Sequence, residues 1–351
     1  HKLLHDEKNP HCMICNAAKL QHAPARRRTN VPKPSKFGAK ITLDHVYAKH
    51  DDMIAFGEDT DLLVIYDLAT KWIHLGPVKG KSADLTSREL IRFIGADAKI
   101  KSVYSDNSRE IAKAVKKVCR RQPIPHDTSV PGMPSTNAIA ENQVKLAVRG
   151  IRTSLMQAGL PAFFWPVAAR CISFLKNAAL RDGDLNYNRR HKRGHIDQKR
   201  LLPFGCFVHF IPSPVLRRRL PRKVNPPTVP GILVGYKTLC GGLWDRVYEC
   251  IALDDFAGSD FHRDTLMHKF DVYVQTVRES AWDRVDWEHF PCREFYDRDN
   301  NTLGGITRCL RPDIAHSLAP PPAAPPIEDA SSTPPAAADG DGGPRTFAKA
   351  I

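Results

Sequence analysis

The chain has 351 residues and a formal charge of +14, with 52 Lys and Arg against 38 Asp and Glu, and 42% of its residues are hydrophobic. That hydrophobic share fills one medium core with small satellites. No run approaches the length of a bilayer span, the N-terminus lacks the charged-then-apolar order of a signal peptide, and nine scattered cysteines argue against a disulfide scaffold and for a reducing compartment. The surplus positive charge favours an anionic partner such as nucleic acid.

Residues 1–22 open with HKLLHDEKNPHCMIC. His1 and His5 are four apart, which on a helix puts both imidazoles on one face, and Cys12 with Cys15 form a CxxC pair. Together they offer the two nitrogens and two sulfurs of a tetrahedral structural Zn²⁺ site, one ion in all. His11 is an alternative ligand, and a redox or incidental CxxC is the bland alternative. A basic, proline-containing linker follows over 23–38, with Arg26, Arg27, Arg28, Lys33 and Lys36.

The segment 39–182 reads as an α/β core. ITLDHV alternates, with Ile41 and Leu43 facing one way and Thr42, Asp44 and Val46 the other. Two more strands follow, and Asp67, at the end of LLVIYD, is a rival acid better suited to ordering a turn. Helices are expected over 83–94 and 108–120, on either side of a short strand that ends at Asp106. Another short strand is expected near His126, and the turn formers from there to Pro134 read as a mobile loop. Around Glu141 the residues Ala140, Val144, Ala147, Ile151 and Leu155 fall at helical spacing, while Glu141, Lys145, Arg149 and Arg152 share the polar face. Gly159 and Pro161 stop this helix, and a second long helix follows.

The stretch 183–200 reads as a basic linker containing YNRRHKRGH, with Arg189, Arg190, Lys192 and Arg193. In 201–285 the short runs CFVHFI, GILVGY, DRVYECIAL and FDVYVQTV suggest a small β barrel. This part also carries VLRRRLPRK with Arg217, Arg218 and Arg219. These basic runs suit DNA backbone grips or nuclear localisation signals, against the bland reading of solvated loops. Residues 286–351 are mostly Pro/Ala-rich and are expected to be largely disordered.

Asp44 on a strand, Asp106 at a strand end and Glu141 on a helix can converge on one point and hold a pair of divalent cations, since Mg²⁺ prefers oxygen ligands. Taken singly, each is more often a solvated surface acid. The ordered series LLVIYDLATKWIHLGPVKGKSA, VYSDNSREI, HDTSVPGMPSTNAIAEN, GLPAFFWPVAARCISFLKN, LPFGCFVHF and PGILVGYKT resembles the retroviral-type integrases, most closely the Ty1/copia retrotransposon branch, over roughly residues 1–285. The resemblance implies a ribonuclease H-like core with a mixed five-stranded sheet and helices. An HHCC zinc finger would precede this core and an SH3-like β barrel would follow it. Asp44, Asp106 and Glu141 would then be the catalytic triad and the ligands of two Mg²⁺ or Mn²⁺ ions. Lys145, Arg149, Arg152 and the basic runs would contact DNA, both the element cDNA ends and the target.

The activity implied is 3′-end processing and strand transfer by a homo-oligomer, cut from a retrotransposon polyprotein and passing between cytoplasm and nucleus in a virus-like particle. Membrane association is not implied. Ser108 and Ala138 stand where that family has glycine, and 34 residues separate Asp106 from Glu141. A second reading is therefore a catalytically inactive relic that only binds nucleic acid. A ribonuclease H is a third.

Overall fold

The computed structural model describes residues 11, 33–47, 55, 58–96, 99–120, 124–130, 137–180, 183–214, 227–256, 274–279, 282–297 and 302–303. The expected zinc ligands His1, His5, Cys12 and Cys15, and the run Arg217, Arg218 and Arg219, lie outside the described residues.

Three strands open the core: β1 (Ile41–Tyr47), β2 (Asp61–Asp67) and β3 (Ile73–Val78). Helix α1 (Ala83–Ile94), strand β4 (Val103–Ser105), helix α2 (Arg109–Val118) and strand β5 (His126–Thr128) follow, then the long helices α3 (Ala138–Ala158) and α4 (Trp165–Ala178). The sheet runs β3-β2-β1-β4-β5; β1 to β3 pair antiparallel, whereas β4 and β5 extend the sheet parallel to β1. This is a mixed five-stranded sheet with helices, as a ribonuclease H-like core requires. The inner strand β2, between β3 and the central β1, is buried along Leu62, Leu63, Val64 and Ile65, the continuous apolar run of a strand covered on both faces.

Local chemistry sets the helix ends. Ser82 caps α1 by accepting the Leu85 N–H at 3.2 Å, and Ser108 caps α2 by accepting that of Ile111 at 3.4 Å. The expected 108–120 helix therefore contracts to Arg109–Val118, with Ser108 and Cys119 as its caps. Gly159 ends α3 in the left-handed region at φ 68°, where a Cβ would meet the Arg293 Cα at 2.2 Å, so only glycine fits.

Helix α4 closes the open edge of β3. Asn177 Oδ1 accepts the Ile73 N–H at 3.0 Å, and Ser173 Oγ accepts that of Leu75 at 3.1 Å. Asn177 Nδ2 donates back to the Ile73 carbonyl at 2.7 Å. Two side chains four apart on one helix face thus replace the neighbour strand that β3 lacks.

Beyond the core, α5 (Asn186–His191) interrupts the stretch expected as a linker. Leu185 is fully buried before it, and the Tyr187 hydroxyl accepts the Trp244 N–H at 3.1 Å. A second sheet is built from β6 (Phe207–Phe210), β7 (Val229–Thr238), β8 (Trp244–Ala252), β9 (Gln275–Arg278) and β10 (Trp282–Asp286), ordered β10-β6-β7-β8-β9 and antiparallel throughout. It packs on the far side of α4, where Phe174 stacks on Tyr236 at 4.3 Å, so one continuous apolar core runs through both sheets. The fold also continues past residue 285: β10 reaches Asp286, and the turn Pro291–Phe295 packs on α3 with Cys292 buried. Cys171, Cys206 and Cys250 are buried thiols, and Cys119 is half-buried.

Asn177→Ala strips the outer backbone of β3 of two partners. Leaving buried polar groups unpaired costs about 1–3 kcal/mol, so urea unfolding of this variant should show a loss of that size, and an unchanged midpoint would exclude the edge-capping role.

Candidate active site

The alternation of β1 puts Leu43 and His45 on one face and Asp44 and Val46 on the other. His45 Nε2 lies 3.2 Å from Thr86 Oγ1 on α1, and Thr86 donates its own proton to the Ser82 carbonyl, so the neutral imidazole is the donor to Thr86. Asp44 therefore faces the opposite side, where α3 packs across β1 and β2. Glu141 lies in the first turn of α3.

The second acid arrives by strand register. Leu43 pairs in parallel with Ser105, so the next residues along the two strands, Asp44 and Asp106, stand level. Ser105 is fully buried; its Oγ donates to the Asp106 carbonyl at 2.7 Å and accepts from His126 Nε2 at 2.9 Å. The Asp106 carboxylate receives the Ser108 N–H at 3.3 Å. Ser108 sits at φ −73° and Ala138 is the first residue of α3, so neither position demands glycine in this structure.

The electrostatics register the convergence. The Asp44 carboxyl is pushed up from an ordinary 3.8 to about 6, first by burial, then by the charge of Asp106, with Glu141 adding to it; a hydrogen bond from the His45 backbone and the charge of Lys81 pull the other way. Asp106 and Glu141 thus both act on Asp44, although the three acids come from a strand end, a helix and a central strand. Among the described residues, no three His, Cys, Asp or Glu side chains stand in an arrangement that would ligate one metal ion. In kind, three carboxylates are hard oxygen donors that fit Mg²⁺ or Mn²⁺, and the raised proton affinity of Asp44 marks a site short of positive charge. Asp67 plays the turn-ordering part expected of it: it is fully buried and accepts the Gly38 N–H and both the N–H and hydroxyl of Thr70.

The basic residues divide by environment. Lys145, Arg149 and Arg152 are exposed along α3, and Lys192 and Arg193 are exposed at the end of α5. Arg189 is half-buried and pairs with Asp184 at 3.0 Å. Arg190, grouped with the DNA contacts on sequence alone, is instead internal. Its guanidinium lies 3.9 Å from the Phe37 ring centre and 4.6 Å from that of Trp72, and it donates to the Phe93 and Ile94 carbonyls at the C-terminus of α1. Burial lowers its pKa to about 9, so it stays charged at neutral pH but is committed to the fold. Its neighbour His191 is lowered to about 4 by burial and by Arg190, and is neutral. Sequence reasoning missed Lys81, whose charge reaches both Asp44 and His45 from the loop before α1. The signal available was the Lys-Gly-Lys turn between a strand and a capped helix, with Lys81 directly before the cap.

The fold is a mixed-sheet α/β core in which the charges of Asp106 and Glu141 act on Asp44 of the central strand. Over 157 residues the chain is 29% identical to the retrovirus-related Pol polyprotein from transposon TNT 1-94 of Nicotiana tabacum, covering 42% of this chain and 11% of that protein. The chain thus spans about a tenth of the relative's length, and it is related to a retroelement Pol polyprotein over that stretch. Among solved structures, a chain of the simian T-cell lymphotropic virus intasome in complex with PP2A regulatory subunit B56 gamma covers 78% of this chain and 87% of its own, at 12% identity and a TM-score of 0.40. An overlap with that score carries no argument. No protein-family profile matches the chain.

A carboxyl whose affinity for protons is higher folded than unfolded favours the fold only while protonated. The Asp44 contribution is full below about pH 4 and lost as pH rises through about 6. Asp44→Asn cannot ionise, so in chelator its melting temperature should gain on the wild type at pH 8 and not at pH 4. A gain that is equal at the two pH values would contradict the raised carboxyl.

Proposed function

We propose that this chain is the integrase of a copia-type retrotransposon, cut from its polyprotein, and that it joins element cDNA ends to target DNA. The observation that carries the reading is the half-buried Asp44 on β1, whose carboxyl is raised by burial and by the fields of Asp106 and Glu141. The partial identity to a retroelement Pol polyprotein supports the same context.

In this reading Asp44, Asp106 and Glu141 would hold two Mg²⁺ or Mn²⁺ ions, drawn together by them from their present spacing. When bound, the ions would offset the three negative charges and polarise the reacting phosphate and the attacking oxygen. The side chains themselves orient the phosphodiester. Lys145 and Arg149, one and two turns beyond Glu141, meet the flanking phosphates with positive charge. In 3′-end processing, a water oxygen bonds to phosphorus while the bond to the leaving 3′ oxygen breaks, and that oxygen takes up a proton. In strand transfer the freed 3′-hydroxyl replaces water as nucleophile and the target strand's 3′ oxygen leaves. No covalent protein intermediate is required.

The β6 to β10 sheet supports an SH3-like DNA-binding or assembly domain, and His1, His5, Cys12 and Cys15 are proposed as a structural Zn²⁺ finger. A homo-oligomer working on nuclear DNA after assembly in the cytoplasm completes the proposal. The second reading, an inactive DNA-binding relic, draws on the observation that no three described acids are arranged to ligate one ion.

An oligonucleotide joining assay with Mg²⁺ or Mn²⁺ separates the two readings. Glu141→Gln should lose strand joining by at least about 10³-fold, the scale of an essential transition-state group, while its melting temperature and DNA affinity hold. Joining at wild-type rate in that variant would remove Glu141 from the site. For the basic residues, Arg149→Gln should flatten the salt dependence of DNA binding by about one phosphate contact. Arg190→Gln should instead lower thermal stability and leave the salt slope unchanged; the reverse pattern would return Arg190 to the DNA surface.

A further inference from the structure

Beside the acids lies a cavity of about 290 Å³, lined mainly by apolar side chains that include Val46, Leu62, Val148, Ile151 and Trp165, with Tyr47 and Arg152 at its margin. Its position follows from register. Val46 shares the Asp44 face of β1 and pairs directly with Leu62, just as Asp44 pairs with Val64, so the cavity floor continues the same face of the sheet. Along β1 it begins two residues past Asp44, about 7 Å. Along α3 it begins seven residues past Glu141, about 10 Å. A nucleotide whose phosphate met the acids would place its neighbour's base within that reach.

We infer that this cavity is a nucleobase subsite, which takes one unstacked base next to the reacting phosphate at a DNA end. The inference rests on the DNA-joining reading above and adds the subsite to it. Three features favour a base over another apolar occupant. The volume exceeds that of a single purine and is too small for a folded peptide element. The walls are apolar and partly aromatic, and sequence-tolerant base binding uses such surfaces because every base has a π face. The rim is cationic and suits a polyanion: Arg152 is exposed on α3 with Arg149 one turn before it, and Lys81 lies over the Tyr47 ring at 5.9 Å. Tyr47 itself is 54% exposed at the end of β1, so its ring is available to cover an entering base. An unstacked end also suits the chemistry, because it opens the scissile phosphate to in-line attack without a duplex partner in the way.

The test uses the full chain and duplex oligonucleotides carrying 2-aminopurine either at the terminal positions or at the centre. Binding should raise the fluorescence of the terminal probe several-fold and leave the central probe unchanged. Val148→Phe, which fills the cavity from a half-buried position, and Tyr47→Ala, an exposed change outside the acid site, should each abolish the terminal signal and weaken end binding about tenfold, the scale of one lost base stack. Retention of the terminal signal by both variants, with folding checked by circular dichroism, would overturn the subsite. If both variants keep the signal while the wild type joins DNA, the integrase reading survives and only the cavity's role falls. A wild type that binds no DNA removes both.

Discussion

Helix α4 lies between two sheets, and the rest of the molecule is arranged around that wedge. One side of the helix supplies Ser173 and Asn177 to the bare backbone of β3, and the next position, Phe174, stacks on Tyr236 of β7. An open strand edge is a template for unwanted pairing, and here it is closed by side chains instead of a sixth strand. The same helix then ties the acid-bearing sheet to the second sheet through a shared apolar core. Neither sheet buries its full face without it.

On that rigid support the fold carries a local cost. Asp44 sits on a central strand, partly removed from water, with two other acids pressing on it. Burying a carboxylate near like charges opposes folding at neutral pH, and no described side chain forms an ion pair with it. Lys81 offsets the strain only in part. Such a cluster is unfavourable as a structural device and intelligible as a binding site, because an incoming cation or a charged ligand that recruits one relieves it.

Much of this was legible in the sequence, and the reasons differ by element. The bounds of α1 could be read because Ser82 and Gly95 are local signals that act on their own helix. The Asp44 face could be read because strand alternation is a two-residue rule. Asp67 was separable from Asp44 because an acid three residues before a Thr in DLAT orders a turn by itself. What stayed hidden depends on contacts between distant segments. YNRRHKRGH looks like a solvated basic run, yet α5 forms there because Tyr187 and Leu185 find a core built by Trp72 and the second sheet. Arg190 looks like its neighbours until Phe37, Trp72 and Phe93 arrive from three other places. Lys81 and the cavity behind Tyr47 belong to the same class, since composition alone says nothing of what stands beside β1.

The Trp72 indole touches more of the molecule than any motif suggests. Arg190 lies on it from α5, His191 meets it edge-on, and a Cβ on Gly242 would fall 2.4 Å from its ring, so the turn before β8 rests directly on the indole. The adjacent Gly241 donates to the Arg92 carbonyl at the end of α1. A tether of basic residues between two folded parts would let them swing like beads on a cord; here the cord is clamped at a single aromatic washer. Whatever the second sheet holds is thereby kept at one fixed spacing from the three acids, and the molecule works as a caliper.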